Sequence, residues 1–123
     1  MNFKALGQRS IAPTKELETF SAPAGITLIK FECTELTSFC PVTGQPDFSN
    51  VVITYNPKEK CLESKSLKLY LWSFREEHIF GEGLAAQIAR DIFDAVEPSW
   101  IEVALTQNVR GGTQLTATAR LER

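Results

Sequence analysis

Covalent chemistry is most readily placed at Cys40, which lies between Phe39 and Pro41. The surrounding stretch Ser38–Asp47 holds two prolines and Gly44, and it reads as an irregular loop. A cysteine reacts as its thiolate and needs local activation. Asp47, seven residues on, is a carboxylic acid able to exchange protons with an adduct at that sulfur. On residue type alone, a buried loop cysteine with a solvent-facing aspartate is the commoner outcome.

Three other groupings carry candidate chemistry. In Glu63-Ser64-Lys65-Ser66-Leu67-Lys68, the lysines Lys65 and Lys68 share one face if the segment is helical, and two ammonium groups can hold phosphates. A solvated helix face is the commoner explanation of such a pair. Arg110-Gly111-Gly112 sets an arginine fork beside exposed backbone N–H groups, or is a plain hairpin turn. Gly81-Glu82-Gly83-Leu84-Ala85-Ala86 fits the dinucleotide pattern G-x-G-x-x-A, but that pattern needs a preceding parallel strand. Glu82 would also repel a pyrophosphate there, so a glycine-rich helix start, or a glutamate that itself binds something, is the better reading. Cys33, Cys40, Cys61 and His78 do not match zinc-ligand spacings, and no metal site is read.

These residues must be positioned by a small scaffold. Residues 1–23, with Pro13 and Pro23, read as a loosely organised arm, and 24–123 as a single domain. Ile26–Phe31 and Val51–Tyr55 read as strands, the second stopped at Asn56-Pro57. Ser66–Phe74 fits two periods, the strand alternation Leu67, Leu69, Leu71 and the helical stripe Leu67, Tyr70, Leu71, Phe74. Leu84, Ile88, Ile92 and either Ala95 or Val96 form one helical face, ended by Pro98. Trp100–Thr106 and Leu115–Leu121 alternate as strands joined by a hairpin at Asn108–Gly112. With the ambiguous segment as helix, the order is ββααββ, an α+β antiparallel four-stranded sheet with two helices on one face.

Composition narrows the function. The chain has 123 residues, enough for one domain with a modest core. It is 43% hydrophobic and 23% charged, which favours a folded protein over a disordered one. A net charge of −2 without a basic stripe argues against a nucleic-acid partner but leaves a small polyanionic ligand open. No secretory signal or membrane-spanning run is readable, and the odd number of cysteines reads as reduced thiols in a cytoplasmic protein.

Two runs together carry a family resemblance. Phe39-Cys40-Pro41-Val42-Thr43-Gly44-Gln45-Pro46-Asp47-Phe48, followed by Glu63-Ser64-Lys65-Ser66-Leu67-Lys68-Leu69-Tyr70, resembles the NADPH-dependent 7-cyano-7-deazaguanine reductases of the short, single-domain type. The likeness runs from about Phe31 to Gly112. It implies a tunnelling fold of ββααββ topology, which makes Ser66–Phe74 a helix. It implies a homo-oligomer of stacked pentameric rings with active sites at subunit interfaces. It also implies reduction of the free base's nitrile to an aminomethyl group, in the biosynthesis of queuosine for transfer RNA.

By that resemblance Cys40 is the nucleophile that forms a covalent thioimide, and Asp47 is the proton donor. Leu62, Glu63, Ser64, Gly81 and Glu82 line the substrate pocket, with Glu82 taking two hydrogen bonds from the guanine-like edge. Lys65, Lys68, Arg110 and the adjoining Gly111 are candidates for the NADPH phosphates. Gly81 departs from the pattern, because the family commonly has histidine there; His78 lies three residues upstream. Two alternatives share the fold: a relative that forms an amidine from the same nitrile without NADPH, and a non-catalytic purine- or pterin-binding protein. The intact Glu63–Tyr70 run argues against the first, and the presence of both Cys40 and Asp47 against the second. Cys61, beside the expected pocket, is a candidate for oxidation against Cys40.

Overall fold

The structure is a computed structural model that describes residues 12–123. The elements in chain order are β1 (Thr19–Ser21), β2 (Ile29–Phe39), β3 (Pro46–Asn56), β4 (Lys60–Leu62), α1 (Ser64–Trp72), α2 (Gly81–Val96), β5 (Trp100–Gln107) and β6 (Thr116–Glu122). An antiparallel sheet of order β2-β3-β5-β6 forms the frame, and β1 pairs with β4 in a separate two-stranded ribbon. The expected ββααββ plan holds, with the ribbon added to it.

Alternation makes the sheet one-sided. Val51, Ile53 and Tyr55 of β3 and Ile101, Val103 and Leu105 of β5 are buried on one face. The helices cover that face. Leu84, Ile88 and Ile92 of α2 are fully buried against it, each contributing roughly 1.5–3 kcal/mol through apolar burial. The ambiguous segment resolves as helix as far as Trp72, with Leu67, Tyr70 and Leu71 buried in the core and Phe74 joining them from the turn that follows. The α2 helix stops at Val96, where Glu97 takes a left-handed conformation (φ 55°) just ahead of Pro98.

Three expectations need correction. The first strand begins at Ile29 rather than Ile26 and runs on to Phe39, across a register shift between Cys33 and Leu36. That bulge moves the inward set from Ile29, Phe31 and Cys33 to Leu36 and Ser38, which breaks a strict period of two. The irregular stretch read over Ser38–Asp47 shrinks to the turn 40–45, and Asp47 is a strand residue. Pro46 is tolerated because it is the first residue of its strand.

The arm read over 1–23 is also better anchored than expected, as far as it is described; residues 1–11 lie outside the described part. Phe20 pairs with Cys61 across the ribbon. The N–H of Glu18 donates to Ser66 Oγ (3.0 Å), and the N–H of Glu63 donates to the Glu18 carbonyl (2.8 Å). Lys15 sits over the Phe74 ring and is paired with Glu77.

Candidate active site

The turn between β2 and β3 is closed by two backbone hydrogen bonds, Cys40 N–H to the Gln45 carbonyl and Gly44 N–H to the Cys40 carbonyl, both 2.9 Å. Gly44 has φ 71°, the left-handed region that glycine enters without strain. The turn wraps the Cys40 sulfur with donors. The Thr43 hydroxyl, then the backbone N–H groups of Thr43 and Val42, pull the thiol below its ordinary pKa; partial burial and the Asp47 charge oppose them. The Thr43 oxygen meanwhile accepts from the Gln45 N–H (3.2 Å), which leaves its own proton for the sulfur. Hydrogen bonding that favours the anion is one way to activate a thiol.

Asp47 is nearly enclosed, with its side chain 9% exposed. Arg110 reaches it from the β5–β6 connection, Nη1 to Oδ1 at 2.8 Å, while Nη2 donates to the Pro46 carbonyl at 2.9 Å. The hairpin that presents Arg110 turns through Gly111 and Gly112, both at positive φ. Arg110, expected at a cofactor phosphate, is therefore engaged by Asp47 in this structure.

Glu82 comes to the same end of the sheet. The Phe39 N–H donates to the Glu77 carbonyl (2.8 Å), and the Ile79 N–H donates to the Phe39 carbonyl (3.0 Å). This short parallel bridge ties the segment before α2 to the residue preceding Cys40. An open cavity of about 550 Å³ results, lined by Pro41, His78, Ile79, Phe80, Glu82 and Gly83. Gly81, the buried first residue of α2, packs under Gln107 and Leu115; a Cβ there would sit 2.9 Å from Leu115 Cδ2 and 3.0 Å from Gln107 Nε2. A side chain at 81 requires both to move. Gly81 thus leaves room for Leu115 and Gln107 to pack against the start of α2, and it brings no functional group of its own.

The other expected substrate residues lie elsewhere in the chain. The Leu62 N–H donates to the Tyr55 hydroxyl (2.8 Å), and Tyr55 is eight residues along β3 from Asp47, roughly 25 Å at strand rise. Leu62 is core. Glu63 caps α1: its carboxylate accepts from the N–H groups of Lys65 (2.6 and 2.9 Å) and Ser66 (3.1 and 3.2 Å). Ser64 is exposed beside it. The same separation rules out oxidation of Cys61 against Cys40 within one chain, since Cys61 is buried beside Tyr55; Cys33, Cys40 and Cys61 are all free thiols.

A larger groove of about 870 Å³ runs between β2 and α1, with Lys68 and Arg75 as its cations and Phe39, Phe48 and Trp72 as its flat apolar faces. Of the two lysines singled out as phosphate ligands, Lys68 lines this groove and Lys65 does not. Glu32 and Glu35 of β2 add carboxylates to its lining. Sequence reasoning missed Arg75, which sits in the turn after α1, and Thr43, whose hydroxyl lowers the pKa of the thiol. Among the described residues, no helix is long and apolar enough to cross a membrane, and no three His, Cys, Asp or Glu residues gather to hold a metal.

Comparison with known proteins identifies the family. The profile of the family described as QueF-like protein matches residues 46–123. A protein of Anaeromyxobacter sp. (strain Fw109-5) named NADPH-dependent 7-cyano-7-deazaguanine reductase is 49% identical over 110 residues, covering 88% of this chain and 90% of its own. One of the same name from Syntrophus aciditrophicus (strain SB) is 43% identical over 117 residues, covering 94% and 84%. Among solved structures, the apo form of an archaeosine synthase QueF-Like superposes with a TM-score of 0.72 at 23% identity, covering 76% of this chain and 92% of that one, which shows a shared fold. On the family profile and the identity to these relatives, the chain belongs to the QueF-like protein family.

Proposed function

We propose that this protein reduces the nitrile of 7-cyano-7-deazaguanine to an aminomethyl group at the expense of NADPH, as the names of its relatives state for them. The observation that carries the proposal is the closed Cys40 turn, which lowers the thiol's pKa and sets it at the end of the sheet that holds the enclosed Asp47 carboxylate. The Cys40 thiolate adds to the nitrile carbon and forms a thioimide; the proton that leaves the thiol passes through Asp47 to the nitrile nitrogen. Covalent capture holds the substrate in one site through a four-electron reduction, and the sulfur leaves as thiolate when the carbon–sulfur bond breaks. Glu82 accepts from the ring N–H and exocyclic amine of the base.

The groove fits a dinucleotide phosphate: Lys68 and Arg75 offer its phosphates cations, and Phe39, Phe48 and Trp72 offer its rings flat surfaces. NADPH, when bound, supplies the hydrides. Lys65, Arg110 and Gly111 join this set only if the Asp47–Arg110 pair opens or a second copy brings Lys65 near.

The same reading assigns the active sites to subunit interfaces of a stacked-ring homo-oligomer. The distance between the Leu62–Ser64 end and the Cys40 end supports it, since one chain cannot bring both groups to one base. The test is an NADPH-oxidation assay with product identification by mass. Two NADPH consumed per base, with the aminomethyl product formed, supports the proposal. Conversion of the nitrile to an amidine without NADPH consumption overturns it.

A further inference from the structure

His78 is the sole histidine of the chain, and the reaction scheme above does not use it. Its ring stacks on Phe39 with centroids 5.1 Å apart and planes 30° apart. The backbone bridge of Glu77 and Ile79 to Phe39 clamps it on both sides. It is therefore fixed next to the residue that precedes Cys40, and it opens into the same cavity as Glu82. The imidazole is exposed, with no hydrogen bond to another described residue. Of the side chains lining that cavity, Pro41, Ile79 and Phe80 have no polar group and Glu82 offers acceptors. His78 is the one side chain there that supplies a ring N–H donor.

A guanine-like edge presents two neighbouring donors and then a ring carbonyl. A glutamate that takes the donors leaves the carbonyl oxygen needing a donor of its own. We infer that the His78 imidazole donates a hydrogen bond to the ring carbonyl of the base held by Glu82, and so selects a 6-oxo purine-like substrate over analogues with a weaker acceptor. The inference rests on the proposed function, because it takes the base to lie against Glu82. The stack on Phe39 supplies the orientation, so the donor is set before the ligand arrives, which lowers the ordering cost of binding.

The test measures binding of 7-cyano-7-deazaguanine and its 6-thio analogue by calorimetry. All proteins carry Cys40→Ala, so that covalent capture does not contribute. His78→Phe keeps the stack and removes the donor; His78→Gln keeps a donor. Losing one such hydrogen bond corresponds to roughly 5- to 10-fold weaker binding. His78→Phe is expected to bind the oxo base weaker by that factor and to lose the preference for oxo over thio, while His78→Gln recovers most of both. Unchanged affinity in His78→Phe, or the same oxo-over-thio preference with and without the imidazole, overturns the inference. Failure of the Cys40 protein to bind or capture the base at all overturns the proposed function and this inference together. Normal capture by the Cys40 protein with unchanged His78→Phe binding overturns this inference alone.

Discussion

Replacing Glu63 should weaken the fold before it does anything else. Family likeness placed this residue in a substrate pocket, but its carboxylate accepts from two N–H groups at the start of α1, with four contacts between 2.6 and 3.2 Å, and the residue is 5% exposed. Hydrogen bonds to a charged group contribute about 1.5–3 kcal/mol, and loss of an N-cap typically costs about 1 kcal/mol. Ser66 is fully buried, so water cannot readily replace the carboxylate at its N–H. Glu63→Ala is therefore expected to lose about 2–3 kcal/mol. Glu63→Gln, which keeps an acceptor but loses the charge at the helix N-terminus, should lose about 1 kcal/mol. The assay is urea unfolding at one fixed protein concentration, since association would couple to stability. The midpoint should fall with an unchanged slope, and Tm should drop by roughly 4 °C per kcal/mol for a domain of this size. A Glu63→Ala protein within about 0.5 kcal/mol of the parent, below the usual cost of losing a cap, would refute the capping role and return Glu63 to a purely ligand-facing one.

Further outcomes follow from the same geometry. Alkylation of Cys40 should reach half its maximal rate below the pH of an ordinary thiol, and Thr43→Val should move that midpoint up; equal midpoints refute the role of the Thr43 hydroxyl. Cys33 and Cys61, whose thiols burial pushes up, should alkylate slowly at neutral pH, and rapid labelling of either contradicts their placement. Arg110→Met strands the enclosed Asp47 carboxylate and should cost about 2 kcal/mol, less than for a fully buried pair because Arg110 is half in water; unchanged urea stability refutes the pairing. Burial pushes Tyr55 up to about 12 and raises Tyr70, which donates to Asp91, further still. Unfolded tyrosines ionise near pH 10, so this stabilisation is complete below that pH and is lost as pH rises through the folded value. Tyrosinate absorbance should appear only with alkaline unfolding, and its appearance near pH 10 in folded protein would refute the burial.

The sheet and helices were legible where hydrophobic period and burial agree. The α2 stripe and the alternation of β5 are direct readings of one covered face. The extent of β2 was hidden by its bulge, which changes the parity of the inward residues after Cys33. Ser66–Phe74 carried both periods at once, and the residue that decides it, Glu63, is not among the favoured capping types. The strand β1 is too short for any period to show, and only its pairing with β4 defines it. At the site, Cys40 and Asp47 stood out by type and setting. The partners that tune them did not: Thr43 acts through turn geometry, and Arg110 reaches Asp47 from a distant hairpin. Nothing in local sequence shows that Leu62–Ser64 and Cys40 sit at opposite ends of one strand, because that follows from the strand pairing.

The central proposal is covalent nitrile chemistry at Cys40, and intact-mass spectrometry tests it most directly. The protein is mixed with 7-cyano-7-deazaguanine in the absence of NADPH, beside a Cys40→Ala control. A mass increase equal to the whole base, absent from the control, is the expected result and places the thioimide on that sulfur. No increase in folded protein with reduced thiols, or the same increase in the control, would contradict it.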